Sequence, residues 1–114
     1  MPTENRITPK QRLYLAGPMT GFTDFNYPAF HAEAARLRAL GYHVESPAEN
    51  EAPACGTWEA YLRIGLRQML TCDCVALMPG WADSKGALLE RSVGLQVGLS
   101  LVFSSEIQAE EQAA

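Results

Sequence analysis

The segment Cys74-Val75-Ala76-Leu77-Met78 is apolar at every position, and it limits the fold more than any other feature of the chain. A strand with one wet face alternates apolar and polar residues. A strand apolar throughout needs cover on both faces, as in a parallel sheet sandwiched between helices. The rest of the chain supplies matching parts. Residues 12–17 (RLYLAG) read as a buried strand running into a turn. Residues 27–40 (YPAFHAEAARLRAL) read as a helix, with Pro28 in its first turn, Gly41 just past its end, and Phe30, Ala34 and Leu37 on one stripe. Residues 42–47 read as a short second strand closed by Pro47, and residues 48–56 as a loop. Thr57 is placed to cap a second helix reaching about Thr71, with Trp58, Tyr61, Leu62, Gly65, Leu66 and Met69 as its apolar stripe. Ser84 is placed to cap a third helix to about Val97, and residues 99–103 form a last strand.

Strands alternating with helices imply βαβ units with right-handed crossovers. The predicted fold is α/β: a flavodoxin/Rossmann-like three-layer domain with a short parallel sheet of about four strands in the order 2-1-3-4. Such sheets bind ligands beyond the C-terminal strand ends, where the strand order reverses. The loops at 17–26 and 79–86 meet there. With 114 residues one domain is expected, over residues 12–103, flanked by an N-terminal arm (1–11) and a polar C-terminal tail (104–114).

Charge and cysteine content narrow the partners. Nine Lys and Arg against thirteen Asp and Glu give a net charge of −4, which disfavours a nucleic-acid polymer. No apolar run approaches a membrane span, and residues 1–11 lack the apolar centre of a secretory signal. Cys55, Cys72 and Cys74 are an odd count without zinc-site spacing. A cytoplasmic protein with no metal and no cofactor is the expectation.

Glu90 is the sharpest candidate for chemistry. It lies within the third helix among Gly86, Gly94 and Gly98, whose small size leaves room for a ligand. Ser84 and the Gly86 backbone form a helix N-terminus suited to an anion or hydroxyl. Gly17 opens the first loop, Tyr14 lies in the first strand and Asp73 opens the third. Each has a plainer reading: Glu90 as a solvated helix residue, Ser84 as an N-cap, Gly17 as a turn, Tyr14 as core, Asp73 as a turn or cap residue. Gly17-Pro18-Met19-Thr20-Gly21 fits neither a dinucleotide fingerprint nor a P-loop.

In combination, Tyr14-Leu15-Ala16-Gly17-Pro18-Met19-Thr20-Gly21, the segment 24–30, Pro47-Ala48-Glu49, and Cys72-Asp73-Cys74-Val75-Ala76-Leu77-Met78-Pro79-Gly80-Trp81 leading into Ser84-x-Gly86-Ala87-x-x-Glu90 resemble the nucleoside 2-deoxyribosyltransferase superfamily. The likeness is to a short branch of unassigned function frequent in phage and bacterial genomes. It implies cleavage of a deoxyribosyl N-glycosidic bond, with Glu90 as nucleophile and Tyr14 orienting it. Gly17, Ser84, Gly86 and Asp73 would contact the substrate, a nucleoside or nucleotide. Ser84 stands where members that hydrolyse deoxynucleoside 5′-phosphates carry a phosphate-binding Ser, and base-exchanging members an Asp. The resemblance also implies a homodimer or larger homo-oligomer, with Trp58, Trp81 and Phe22 as candidates for covered surface.

One position departs from the pattern. Related enzymes carry an acid for the leaving base eight residues before Asp73, where this chain has Gly65. Gly65 falls on the inward stripe of its helix, so a pocket-facing Asp is expected to fit there, while Glu59 is expected on another face. The alternative reading is therefore a non-catalytic nucleotide-binding module. An NAD glycohydrolase would use a similar glutamate, but no separate motif supports it.

Overall fold

In the computed structural model, which describes residues 11–108, the apolar run forms β3 (Cys74–Leu77), with all four residues buried. It is central, as its composition requires. β1 (Arg12–Ala16) pairs with it on one side and β4 (Ser100–Phe103) on the other, and β2 (His43–Glu45) lies outside β1. All three pairings are parallel and the order is β2-β1-β3-β4, as predicted.

Register decides which side chains share a face. Leu13 pairs with Cys74 and Leu15 with Ala76, and these pack on α1 (Tyr27–Ala39) through Phe30, Ala34 and Leu37. Tyr14 pairs with Val75 and Ala16 with Leu77. These face the other layer, made by α2 (Trp58–Met69) and α3 (Lys85–Gln96). The helices therefore cover both faces, giving three layers.

Local chemistry sets the helix ends. Pro28 sits in the first turn of α1, and Arg36 and Arg38 in its last turn face the negative end of the helix dipole. The Thr57 hydroxyl accepts from the Ala60 amide and starts α2; Ser84 does the same for α3 through Ala87. α3 lies close on the sheet because residue 94 is glycine: a Cβ there would stand 3.0 Å from Val75 Cγ2. The second strand is shorter than expected because Ser46 caps a 3-10 turn at Pro47–Glu49.

The tail departs from expectation. Ser104–Glu106 form a 3-10 turn, Ser104 and Ile107 are buried, and the Arg36 guanidinium donates to the carbonyls of both residues. Residues 104–107 are thus part of the folded body, drawn in by the apolar Ile107. The expected arm lies outside the described residues except for Gln11, as does the tail beyond residue 108. Among the described residues no helix is long and apolar enough to cross a membrane.

Candidate functional site

The loops that follow β1, β2 and β3 enclose a cleft of about 870 Å³ at the C-terminal edge of the sheet. Its walls come from four places: Gly17 and Thr20 after β1, Asn50 after β2, the N-terminal half of α2, and Ser84 and Gly86 at the start of α3. This is the switch point of the 2-1-3-4 order, where neighbouring loops diverge and leave space.

Tyr14 and Glu90 meet in this cleft. The Tyr14 hydroxyl donates to Glu90 Oε2 at 2.6 Å, across 76 positions of sequence. Tyr14 is fully buried and Glu90 nearly so, at 8% exposure. Burial pushes the Glu90 carboxyl up and the Tyr14 hydrogen bond offsets part of that rise, leaving it at about 7. Burial and then the Glu90 charge push the Tyr14 phenol well above its ordinary value. The phenol therefore keeps its proton and donates it to the carboxylate. One carboxylate oxygen is thus tied down, and the charge sits in a place that water serves poorly.

Five of the six predicted site residues line the cleft: Tyr14, Gly17, Ser84, Gly86 and Glu90. Two of them also hold structure. A Cβ at Gly17 would lie 2.9 Å from Met78 Cβ, so the glycine lets the exits of β1 and β3 run together. Ser84 is the N-cap of α3, and its oxygen accepts from the Ala87 amide at 3.2 Å.

Asp73 is the exception and its expected substrate role is corrected. It precedes β3, so it stands at the N-terminal rim of the sheet, opposite the cleft. There its carboxylate accepts from the Arg12 amide at 3.0 Å, and its own amide donates to the Arg12 carbonyl. It is a cap that aligns the starts of β1 and β3.

The expectation for Gly65 is also corrected. Gly65 does lie on the cleft side of α2, but the space beside it is filled. A Cβ there would stand 2.7 Å from the Tyr14 hydroxyl and 3.0 Å from Glu90 Oε2. An Asp does not fit without moving that pair. Glu59, expected on another face, lines the cleft with Gly65 because the first turn of α2 forms part of the rim.

Several lining residues escaped the sequence reading. The α2 stripe divides: Leu66 and Met69 face the sheet, while Trp58, Tyr61 and Leu62 face the cleft. Periodicity marks an apolar face without saying whether protein or ligand covers it. Lys85 Nζ lies 4.3 Å from the centre of the Trp58 ring, and both residues line the cleft. Phe22 and Phe25, each at least half exposed, stand at its mouth on the loop after β1. A lysine following a capping serine, with a tryptophan at another helix start, was the signal available for the first pair.

The family model described as "Domain of unknown function (DUF4406)" matches residues 11–103, the span from β1 to the end of β4. No curated protein matches the chain.

Proposed function

The chain belongs to the DUF4406 family, and we propose that it is an N-glycosidic-bond enzyme of the nucleoside 2-deoxyribosyltransferase type, with Glu90 as nucleophile. The observation that carries this reading is the 2.6 Å hydrogen bond from Tyr14 to Glu90, buried at a cleft beyond the strand ends. Tyr14 holds Oε2, which leaves Oε1 to attack the anomeric carbon of a deoxyribosyl group. The carbon–nitrogen bond breaks and its electron pair leaves with the base, which takes up a proton. The resulting sugar ester on Glu90 is then opened at the same carbon by water or by a second base, and the carboxylate is regenerated.

The leaving base needs a proton donor, and residue 65 does not provide one. Glu51, Glu59 and Asp83 are the other carboxyl groups on the cleft wall and are the candidates for that role. For the substrate, the cationic Lys85 and the first-turn amides of α3 favour a negative group near Ser84. A 5′-phosphorylated deoxynucleoside fits that end better than a free nucleoside.

The absence of an acid at Gly65 favours a second reading, a nucleotide-binding module without turnover. Incubation with a panel of deoxynucleosides and deoxynucleoside 5′-phosphates, followed by chromatography for free base, separates the two. Base release from the wild type that Glu90→Gln abolishes supports the enzyme. No turnover, with nucleotide binding that Glu90→Gln weakens, supports the module. Neither release nor binding overturns both.

A further inference from the structure

Gly65 brings the backbone of α2 against the two atoms that share the buried hydrogen bond. A Cβ at this position would lie 2.7 Å from the Tyr14 hydroxyl and 3.0 Å from Glu90 Oε2. The next nearest atom, Tyr14 Cζ, is 3.9 Å away, which is ordinary contact. The conflict is therefore confined to the polar pair itself. Carbon packed on the hydroxyl at 2.7 Å is not a tolerated contact, so something has to move.

The surroundings restrict what can. α2 is pinned one turn further along. Gln68 donates to Glu45 Oε1 at 2.9 Å and accepts from Asn50 Nδ2 at 2.8 Å, and Met69 is fully buried against the sheet. Tyr14 belongs to β1 and is fully buried, with backbone partners in strands on both sides. The helix and the strand are thus both fixed, and the side-chain atoms of the pair give way first.

We propose that Gly65 is a positioning residue of the Tyr14–Glu90 pair, its bare backbone reserving the volume in which the phenol proton meets the carboxylate. Its relevance to catalysis rests on the function proposed above, but the positioning is measured without substrate. In this chain a side chain at position 65, an acid included, displaces the pair from the geometry it has here.

A double-mutant cycle tests it, using wild type, Gly65→Ala, Tyr14→Phe and the double variant. Two readouts are the melting temperature and the Glu90 titration, followed by carbon NMR with labelled glutamate and assigned through Glu90→Gln. With Tyr14 in place the added methyl should lower Tm by about 4 °C or more, as overpacking does. It should also raise the Glu90 pKa, because the carboxylate loses the donor that favoured its charged form. In the Tyr14→Phe background the hydroxyl is gone. Glu90, no longer tethered, can yield the few tenths of an ångström that its 3.0 Å contact asks for. The same alanine should then move the Glu90 titration less than it does with Tyr14 in place and hold or raise Tm, alanine being the better helix former. If Gly65→Ala does not fold, recovery of folding in the double variant supports the proposal, and failure of both variants overturns it. Equal damage in both backgrounds, no damage in either, or lost stability with an unmoved Glu90 titration also overturns it. A wild type that releases no base defeats the enzymatic reading and leaves this cycle untouched.

Discussion

At the scale of single residues, burial of Glu90 gives two pH effects of opposite value to the molecule. The folded carboxyl titrates near 7, against 4.5 for an ordinary glutamate. Between those values the folded state holds a proton that the unfolded chain has released. Stability from this group is therefore complete below about 4.5 and is lost as pH rises through 7. The loss amounts to about 3 kcal/mol once the carboxyl is fully ionised. Glu90→Gln removes the titration and keeps an oxygen for Tyr14. It should match the wild type in Tm near pH 4.5 and exceed it above about pH 8, on the order of 10 °C. Charges elsewhere titrate alike in both proteins and cancel in the difference. A Tm difference that does not change with pH would mean that Glu90 ionises normally. The second effect concerns activity. On the proposed function the nucleophile is the ionised form of Glu90, so base release should fall about tenfold per pH unit below about 7. Tyr14→Phe removes a donor to the carboxylate and should move that limb to higher pH in a rate profile. A costly charge held in a cleft is what makes Glu90 the candidate for the proposed chemistry.

At the scale of elements, two segments at the cleft are under separate local demands. Asp24, Phe25 and Asn26 lie consecutively in left-handed backbone, with φ of 52°, 53° and 63°. That conformation costs about 1–2 kcal/mol for an ordinary L-residue and less for Asn or Asp. Phe25 carries the burden here, since its ring is 60% exposed and has little packing to offset it. Phe25→Gly should raise stability by up to about 1 kcal/mol after the entropy cost of a new glycine. Asn26→Gly should not, because the Asn26 amide donates to the Pro18 carbonyl at 2.9 Å. Paired thermal melts of the two variants check the contrast, and a loss in both would show a relaxed turn. At the start of α3, Ser84→Ala should cost about 1 kcal/mol as a lost cap. Ser84→Asp keeps a capping oxygen and so should keep Tm, while its charge repels an anionic substrate group. In steady-state assays the Asp variant should lose activity on 5′-phosphates and retain it on free nucleosides; equal loss on both would remove the anion from this end of the cleft. The strand and helix pattern was legible because it depends on local apolar spacing, as in residues 74–78. The turn at Asp24–Asn26 was not, because three successive residues without glycine give no warning of positive φ.

At the scale of the whole molecule, topology brings Tyr14 and Glu90 together; the alternation of elements made the parallel sheet readable, while the 2-1-3-4 order, which alternation alone does not fix, agrees with the structure. The corrections at Asp73 and Gly65 share a cause. Sequence order gives the element a residue sits on, but not which end of the sheet it reaches or whether the space beside it is taken. Asp73 falls at the wrong rim, and the room expected at Gly65 is filled by the very pair the site depends on. The same limit affects the expected interface. Trp58 and Trp81 are half-buried and covered by Lys85 and Arg91, so they do not offer the open surface anticipated for them. Phe22 is half exposed, with Phe25 and Tyr61, at the cleft, and a second group of exposed apolar side chains runs along α3 and beyond it: Leu88, Leu89, Leu95 and Val97, with Phe103 at the end of the edge strand β4. Leu88 and Leu95 are seven residues apart, two helical turns on one stripe. A contiguous apolar stripe is the surface on which association is expected. A second copy is the expected cover, since the assembly implied by the family resemblance is homo-oligomeric. Light scattering at micromolar concentration should give at least twice the 12.5 kDa of one chain. Leu88→Lys with Leu95→Lys should return it to one chain, whereas Phe22→Lys at the cleft mouth should not. A single-chain mass for the wild type would overturn the assembly, and a dimer indifferent to the α3 substitutions would place its interface elsewhere.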